Sequence, residues 1–312
     1  MTDKQLPGET LKNKHYERVI IKRQNKQRTA DLVKVTIGQL RKYSNREGNE
    51  LEVLYYPASK PGAPLLVDIY GGGFISGSIY LEDNLCSRFN NAMDINVAAV
   101  SYRLAPCVEY PRGTYDVYDN IKGLIADKEL AFDRNNIFIE GHSAGGYMTA
   151  TVTLLSLQTQ EFHVRGEILD YPLVDNSVEG LNLPHTRYGF PKFMIRNFHE
   201  AYFPDDSRSQ ESLASPLLAS DDELKHLPPT LTITCGFDNL KFQAQKFHGR
   251  INSLGVDSSL ICYEEAMHGF FEMCSRGENG MWFLPRSMRV KQFEYYDSAF
   301  QSICDFIQNT TK

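Results

Sequence analysis

A serine set between glycines, an aspartate and a histidine, each just past an apolar run, are the residue types in this 312-residue chain that could carry acyl transfer. Gly141-His142-Ser143-Ala144-Gly145 follows the run Ile137-Phe138-Ile139 and leads into Gly146 to Leu157, rich in Ala, Met, Leu and Thr. A buried strand, a glycine-flanked serine and then a buried helix make a nucleophile elbow. The turn requires residues without bulk beside the serine, which Gly141 and Gly145 supply. The hydroxyl then stands at the strand end, facing a helix N-terminus whose dipole and free N–H groups favour negative charge. A G-x-S-x-G match arises by chance in roughly one chain of this length in ten. Context and partners must decide.

Acyl transfer by serine needs a base for the hydroxyl proton, an acid to orient that base, and donors for the oxyanion. Asp238 closes the strand-like stretch from Leu227, and His268 follows the strand expected at Ser258 to Tyr263. At the carboxyl ends of parallel strands, three side chains far apart in sequence can converge. Taken singly, Asp238 could be a helix N-cap and His268 a loop histidine; beside the elbow these alternatives lose weight. Gly71-Gly72-Gly73 directly follows a central strand, where backbone N–H groups can approach a ligand with no Cβ in the way. Oxyanion donation falls to Gly72, Gly73 and Ala144, each donor worth about 10² to 10³ in rate. The alternative for such a run is a flexible turn.

The elements that must position these residues read as strands alternating with helices. Alternating patterns at Leu32 to Ile37 and Leu51 to Tyr56 predict antiparallel edge strands joined by a turn over Ser44 to Asn49. Leu65 to Tyr70, Ile95 to Val100, Ile137 to Ile139, Gly166 to Pro172, Leu227 to Asp238 and Ser258 to Tyr263 predict a mostly parallel sheet. Helices are predicted at Tyr115 to Asp127, Gly146 to Leu157, Leu240 to Leu254 and Tyr295 to Gln308. Strands separated by helices imply right-handed crossovers with helices on both faces. Residues 1–30 are polar and basic with a weak helical pattern. Residues 176–210 lose the strand rhythm and are dense in Tyr, Phe and Met. The expectation is a single domain over 1–312, capped by residues 1–30 and 176–210. Residues 275–290, with Trp282, read as a loop.

The formal net charge of −6 argues against nucleic-acid or anionic-membrane partners, and basic residues form no long block. No apolar run approaches the ~18 residues of a membrane span. The polar start has no apolar segment of a secretory signal. Six cysteines are scattered without C-x-x-C spacing, as reduced thiols of a cytoplasmic protein are, so no zinc or disulfide framework is expected.

Tyr70-Gly-Gly-Gly-Phe74, Tyr102-Arg-Leu-Ala-Pro106, Gly141-His-Ser-Ala-Gly-Gly146, Ser215-Pro-Leu-Leu-Ala219, Leu227-Pro-Pro-Thr230, Gly236-Phe-Asp-Asn-Leu240 and His268-Gly-Phe270 occur in this order. Through them the chain resembles the bacterial hormone-sensitive-lipase-like esterases of the α/β-hydrolase fold, over about residues 50 to 270. The resemblance implies a carboxylic-ester hydrolase with triad Ser143, Asp238 and His268, no metal or cofactor, and a cap over the acyl pocket. Two positions depart from the family. Tyr70 stands where a histidine is usual and is expected to brace the loop through its hydroxyl. His142 replaces a common acid, and Gly-His-Ser-Ala-Gly-Gly is also similar to sugar-acetyl esterases and aryl formamidases. His142 is not expected to be the base, because neighbours on a sharp elbow point apart. Tyr70, Phe74 and His142 are the substrate-binding candidates. The leading reading is hydrolysis of a small-molecule ester with a short acyl chain, acetyl esters included, by a protein for which a homodimer remains open. An amidase or formamidase is the second reading. A non-catalytic ligand-binding relative, as among plant hormone receptors, is the third, and the intact triad weighs against it.

Overall fold

The computed structural model of the chain describes residues 7–31, 34 and 36–311. In chain order the elements are α1 (Pro7–Asp31), β1 (Gln39–Ser44), β2 (Glu50–Tyr56), β3 (Leu65–Ile69), α2 (Asp83–Met93), β4 (Asn96–Val100), α3 (Arg112–Ala126), β5 (Ile137–His142) and α4 (Ala144–Thr159). Then come β6 (Gly166–Asp170), α5 (Lys192–Tyr202), α6 (Asp221–Leu224), β7 (Thr230–Cys235), α7 (Lys241–Ser253), β8 (Ser258–Tyr263), α8 (Phe270–Ser275) and α9 (Arg286–Thr311). The strands form one sheet in the order β1-β2-β4-β3-β5-β6-β7-β8, antiparallel at β1–β2–β4 and parallel from β4 onward.

Every residue of β3, β4, β5, β6 and β7 is buried, as expected of parallel strands covered on both faces. One face carries α2, α8 and α9; the other carries α3, α4 and α7. α4 lies against β5 and β6 and is buried almost all round, which explains its lack of a polar face. Because β5 sits mid-sheet between β3 and β6, the loops after β3, β5, β6, β7 and β8 gather at one end of the sheet.

Two segments cross that end. Gln24 of α1 donates from Nε2 to the carbonyls of Ile75 and Ala105, at 2.8 and 2.7 Å. Tyr16 of α1 hydrogen-bonds Asn197 of α5, so the two segments meet. α5 anchors itself through Tyr202, whose ring stacks on Phe74 at 4.4 Å and whose hydroxyl accepts from the Thr114 amide at 3.1 Å.

Three expectations need correction. The first edge strand is Gln39–Ser44, not Leu32 to Ile37. The amides of Ile37 and Gly38 are drawn instead onto the carboxylate of Asp83 at the start of α2; Leu32, Val33 and Val35 lie outside the described residues. The region 275–290 is not all loop: α8 ends at Ser275, a 3₁₀ turn spans Glu278–Met281, and α9 starts at Arg286. Trp282, just after that turn, is 75 % exposed. α2 was not expected at all.

All six cysteines are free, with Cys107 exposed. Among the described residues no helix is long and apolar enough to cross a membrane.

Candidate active site

The turn after β5 is possible only with the glycines it contains. A Cβ on Gly141 would lie 2.4 Å from the Gly145 carbonyl oxygen, and one on Gly145 would lie 1.9 Å from that of Ile69. Ser143 between them adopts φ 57°, a left-handed conformation that strains a non-glycine residue by roughly 1–3 kcal/mol. The Ser143 amide donates to Asp170 O at 2.9 Å, and its carbonyl accepts from the Tyr147 amide at 3.0 Å, so strand and helix both hold the strained residue.

Ser143 Oγ–H points to His268 Nε2 at 2.8 Å, and His268 Nδ1–H donates to Asp238 Oδ2 at 2.7 Å. Asp238 is fully buried after β7, its other oxygen accepting from the Leu240 amide at 3.0 Å. Burial pushes the His268 imidazole down, but the Asp238 carboxylate and then Glu272 outweigh this and hold it above its ordinary range. This hydrogen-bond order puts the proton on Nδ1 and leaves Nε2 free to accept one from serine.

The loop after β3 passes beside the serine: a Cβ on Gly71 would sit 3.3 Å from Ser143 Cβ. Gly72 and Gly73 take φ of 133° and 59°, and a Cβ on Gly72 would meet Ser76 O at 2.2 Å. Among the described residues, the amides of Gly72, Gly73 and Ala144 donate to no protein acceptor. Free N–H groups on the elbow and on the glycine loop that passes it are the donors that an oxyanion formed at the serine needs.

The three substrate-binding candidates are placed elsewhere. Tyr70 is buried; its hydroxyl donates to Tyr102 O, the Tyr102 hydroxyl donates to Tyr70 O, both at 3.1 Å, and the rings stack at 4.4 Å. It braces the loop and has no surface left for a ligand. Phe74, with φ 65°, is turned into the interior against Tyr202, Tyr147 and Phe203. His142 is wholly buried, its Nδ1 3.0 Å from Asp170 and its Nε2 3.1 Å from Asp68. Two phenylalanines of the 176–210 segment reach the site instead. Phe190 meets the His268 ring edge-on at 4.6 Å, and the Phe198 ring lies 2.7 Å from where a Cβ on Gly73 would be. The aromatic density of that segment pointed to them, without singling them out.

Beneath the elbow lies a second charged group of residues. Two carboxylates outweigh the burial of His142 and hold its imidazole well above its ordinary range. Burial pushes Glu140 far above the carboxylate range and Glu82 to about 7, the latter against the pull of Arg276. Oxygens of Asp68, Glu82, Glu140 and Asp170 are buried without a donor. Asp68, Glu82 and His142, and likewise Glu140, His142 and Asp170, bring possible ligand atoms within 4.8 Å. His142 is common to both sets, and an imidazolium bonding two carboxylates has no lone pair for a cation. Arg276 already contacts Glu82 at 3.1 Å. Protons fit this group better than a metal: one on Glu140 supplies Asp170 with its missing donor.

Comparison with known families matches residues 66–272 to the alpha/beta hydrolase fold. An arylesterase of Saccharolobus solfataricus is 28% identical over 231 residues, covering 72% of this chain and 74% of its own. An ethyl acetate hydrolase of Pseudomonas putida is 28% identical over 243 residues, covering 74% of this chain and 75% of its own. Among solved structures, a hyperthermophilic esterase from the archaeon Pyrobaculum calidifontis superposes with a TM-score of 0.71 at 24% identity, over 92% of this chain and 94% of that one. The matched residues contain the glycine loop, the elbow, Asp238 and His268, and the chain belongs to the alpha/beta hydrolase fold family.

Proposed function

We infer that this chain is a carboxylic-ester hydrolase in which Ser143 is the nucleophile, His268 the general base and Asp238 the orienting acid. The observation that carries the reading is the unbroken hydrogen-bond chain Ser143–His268–Asp238 beside three unpaired amides. Ser143 Oγ attacks the ester carbonyl carbon while His268 Nε2 takes its proton. The resulting oxyanion is met by the amides of Gly72, Gly73 and Ala144. Collapse expels the alcohol, which receives the proton from His268, and leaves an acyl group on Ser143. Water then attacks that acyl-enzyme with the same base. The names of the arylesterase and ethyl acetate hydrolase relatives support an ester as substrate.

Phe190, against the base, and Phe198, against the glycine loop, support short acyl chains as the preferred substrates: their rings lie 6.1 Å apart beside the serine's partners. The test is a series of nitrophenyl esters from acetyl to dodecanoyl, with formyl and acetyl anilides alongside, on wild type and Ser143→Ala. A maximum at acetyl to butyryl, loss of turnover in Ser143→Ala and phosphonate labelling confined to Ser143 are expected. Labelling that survives in Ser143→Ala overturns the nucleophile. Anilides cleaved faster than esters move the reading to an amidase, and a maximum at long chains removes the size argument.

A further inference from the structure

Behind the catalytic histidine stands a carboxylate that the mechanism above does not use. Glu272 lies in the first turn of α8, four residues after His268, and is half-buried. One oxygen accepts a hydrogen bond from the Tyr171 hydroxyl. The other lies 3.4 Å from where a Cβ on Gly71 would be and 3.5 Å from one on Gly269. The carboxylate is therefore wedged between the oxyanion loop and the residue that follows His268. Alanine at Gly71 would bring a methyl group against it.

Tyr171, which holds it, is wholly buried directly after β6 at φ 39°, a conformation that strains a tyrosine. Its ring meets His268 at 5.0 Å and 64°. The phenol and the carboxylate thus form one wall of the imidazole's surroundings. Phe190 forms another, Asp238 bonds Nδ1, and Ser143 bonds Nε2. Around Glu272 itself stand Tyr171, the buried imidazolium of His142, Arg276 on the same helix end, and His268; Glu82, Asp170 and Cys274 also feel its charge. Burial pushes the Glu272 carboxyl up, but His142, the Tyr171 hydroxyl, Arg276 and His268 outweigh it and hold it below its ordinary range. It is an anion at any pH at which His268 can act.

We propose that Glu272 is a second carboxylate serving His268: fixed by the Tyr171 hydroxyl, it stabilises through space the imidazolium that forms when Ser143 gives up its proton. It is a positioning residue, since it touches neither the serine nor the substrate. This rests on the triad reading of the same site. Asp238 orients the ring by a hydrogen bond, whereas Glu272 acts by charge alone. Its removal therefore changes the affinity of His268 for a proton without changing its tautomer.

The experiment is the pH dependence of kcat/KM for nitrophenyl acetate in the full chain, wild type against Glu272→Gln. Loss of a negative charge makes His268 a weaker base, so the acid limb should move to lower pH by about half a unit to one unit. On the plateau kcat should fall severalfold with KM within about twofold, because the imidazolium forms only after binding. Glu272→Asp, which keeps the charge, should return the limb toward its wild-type position. A limb that stays in place in folded Glu272→Gln overturns the proposal. Should that variant not fold, Tyr171→Phe carries the test: freed from its hydroxyl, Glu272 is held less closely and ionises less readily. A smaller shift in the same direction is expected, and an unmoved limb overturns the proposal equally. Turnover in Ser143→Ala or His268→Ala would bring down the triad reading itself. Inactive Ser143→Ala and His268→Ala with an unmoved limb in Glu272→Gln would bring down only this inference.

Discussion

His142 and His268 lie on either side of the elbow, and both contact carboxylates, yet only one can do proton chemistry. His268 has one carboxylate and one hydroxyl, and its side chain is 11% exposed. His142 has a carboxylate at each nitrogen and is wholly buried. A base must offer a lone pair to its substrate and give the proton back later. One acid on the far nitrogen raises basicity and fixes the tautomer; two acids hold both protons and leave no lone pair to offer. The lower site is thus a fixed positive charge that balances Asp68 and Asp170, and the upper site is a working base. Being next to the nucleophile in sequence says nothing about which is which.

The largest test of this contrast is kinetic. His268→Ala should lose about 10⁴-fold or more in kcat for nitrophenyl acetate, and Asp238→Asn about 10⁴-fold, because the ring then takes the wrong tautomer. Both proteins should keep wild-type circular dichroism. Substantial turnover in His268→Ala with an inactive His142→Ala would reverse the two roles.

Removal of the lower histidine should instead destabilise the fold and leave the chemistry nearly intact. His142→Ala leaves Asp68 and Asp170 buried without their cation, and breaking a buried pair destabilises by roughly 3–5 kcal/mol. The check is a urea midpoint together with turnover per phosphonate-titrated active site. The midpoint should fall sharply while turnover per site stays within a few-fold of wild type. A variant as stable as wild type would mean that His142 is not their counter-charge.

This division also accounts for what could be read from the chain. Ser143, Asp238 and His268 were legible because each follows an apolar strand run, and a parallel sheet collects such positions at one end. The role of the His142 side chain was not: it depends on Asp68 and Asp170, 74 and 28 residues away, which strand pairing brings together. One signal was present, since Asp68 interrupts the wholly apolar run Leu65-Leu66-Val67-Ile69 in a central strand, where a charge demands a partner. Phe74 misled for a similar reason. It follows the glycine loop that passes the serine at Gly71, but a positive φ turns its own side chain into the core. α2 escaped notice because Asp83, Asn84, Asn90 and Asn91 are poor helix formers. It forms because Leu85, Cys86 and Phe89 are buried on the sheet.

The two sites should also respond to pH with opposite slopes. Glu82 is raised by burial from the ordinary carboxylate range to about 7, so the folded protein binds a proton there that the unfolded chain has lost. His142 is raised too, and its contribution is complete below the ordinary imidazole range and lost as pH rises through its folded value. For both groups the native state holds more protons, so stability falls as pH rises, between about 4.5 and 7 for Glu82. Turnover needs neutral His268 and must rise as pH increases. Urea midpoints measured from pH 5 to 8 should therefore decline while kcat/KM climbs. Glu82→Gln keeps an acceptor for Arg276 and should flatten part of the decline; an unchanged slope in that variant would place its proton elsewhere.

The smallest expected effect asks whether the rule drawn from the histidines extends to Tyr70. Like His142, Tyr70 is buried beside the site with its polar group committed inside the protein, here to the Tyr102 carbonyl. The rule says that such a group is structural. In Tyr70→Phe the stack on Tyr102 at 4.4 Å survives, as does the reciprocal bond from the Tyr102 hydroxyl to the residue 70 carbonyl. The hydroxyl's bond to the buried Tyr102 carbonyl at 3.1 Å is lost, together with a longer one of 3.4 Å accepted from the Tyr102 amide, which destabilises by about 1–2 kcal/mol. Gly72 and Gly73 are fixed independently, by the Gly72 carbonyl accepting from the Ile75 and Ser76 amides at 3.2 and 3.1 Å, so the oxyanion donors should hardly move. A drop of a few degrees in Tm with kcat within about threefold of wild type is the expected pair of results. A loss of kcat as deep as that of His268→Ala, at unchanged stability, would show that the phenol reaches the reacting atoms and that full commitment of a polar group does not mark it as structural here.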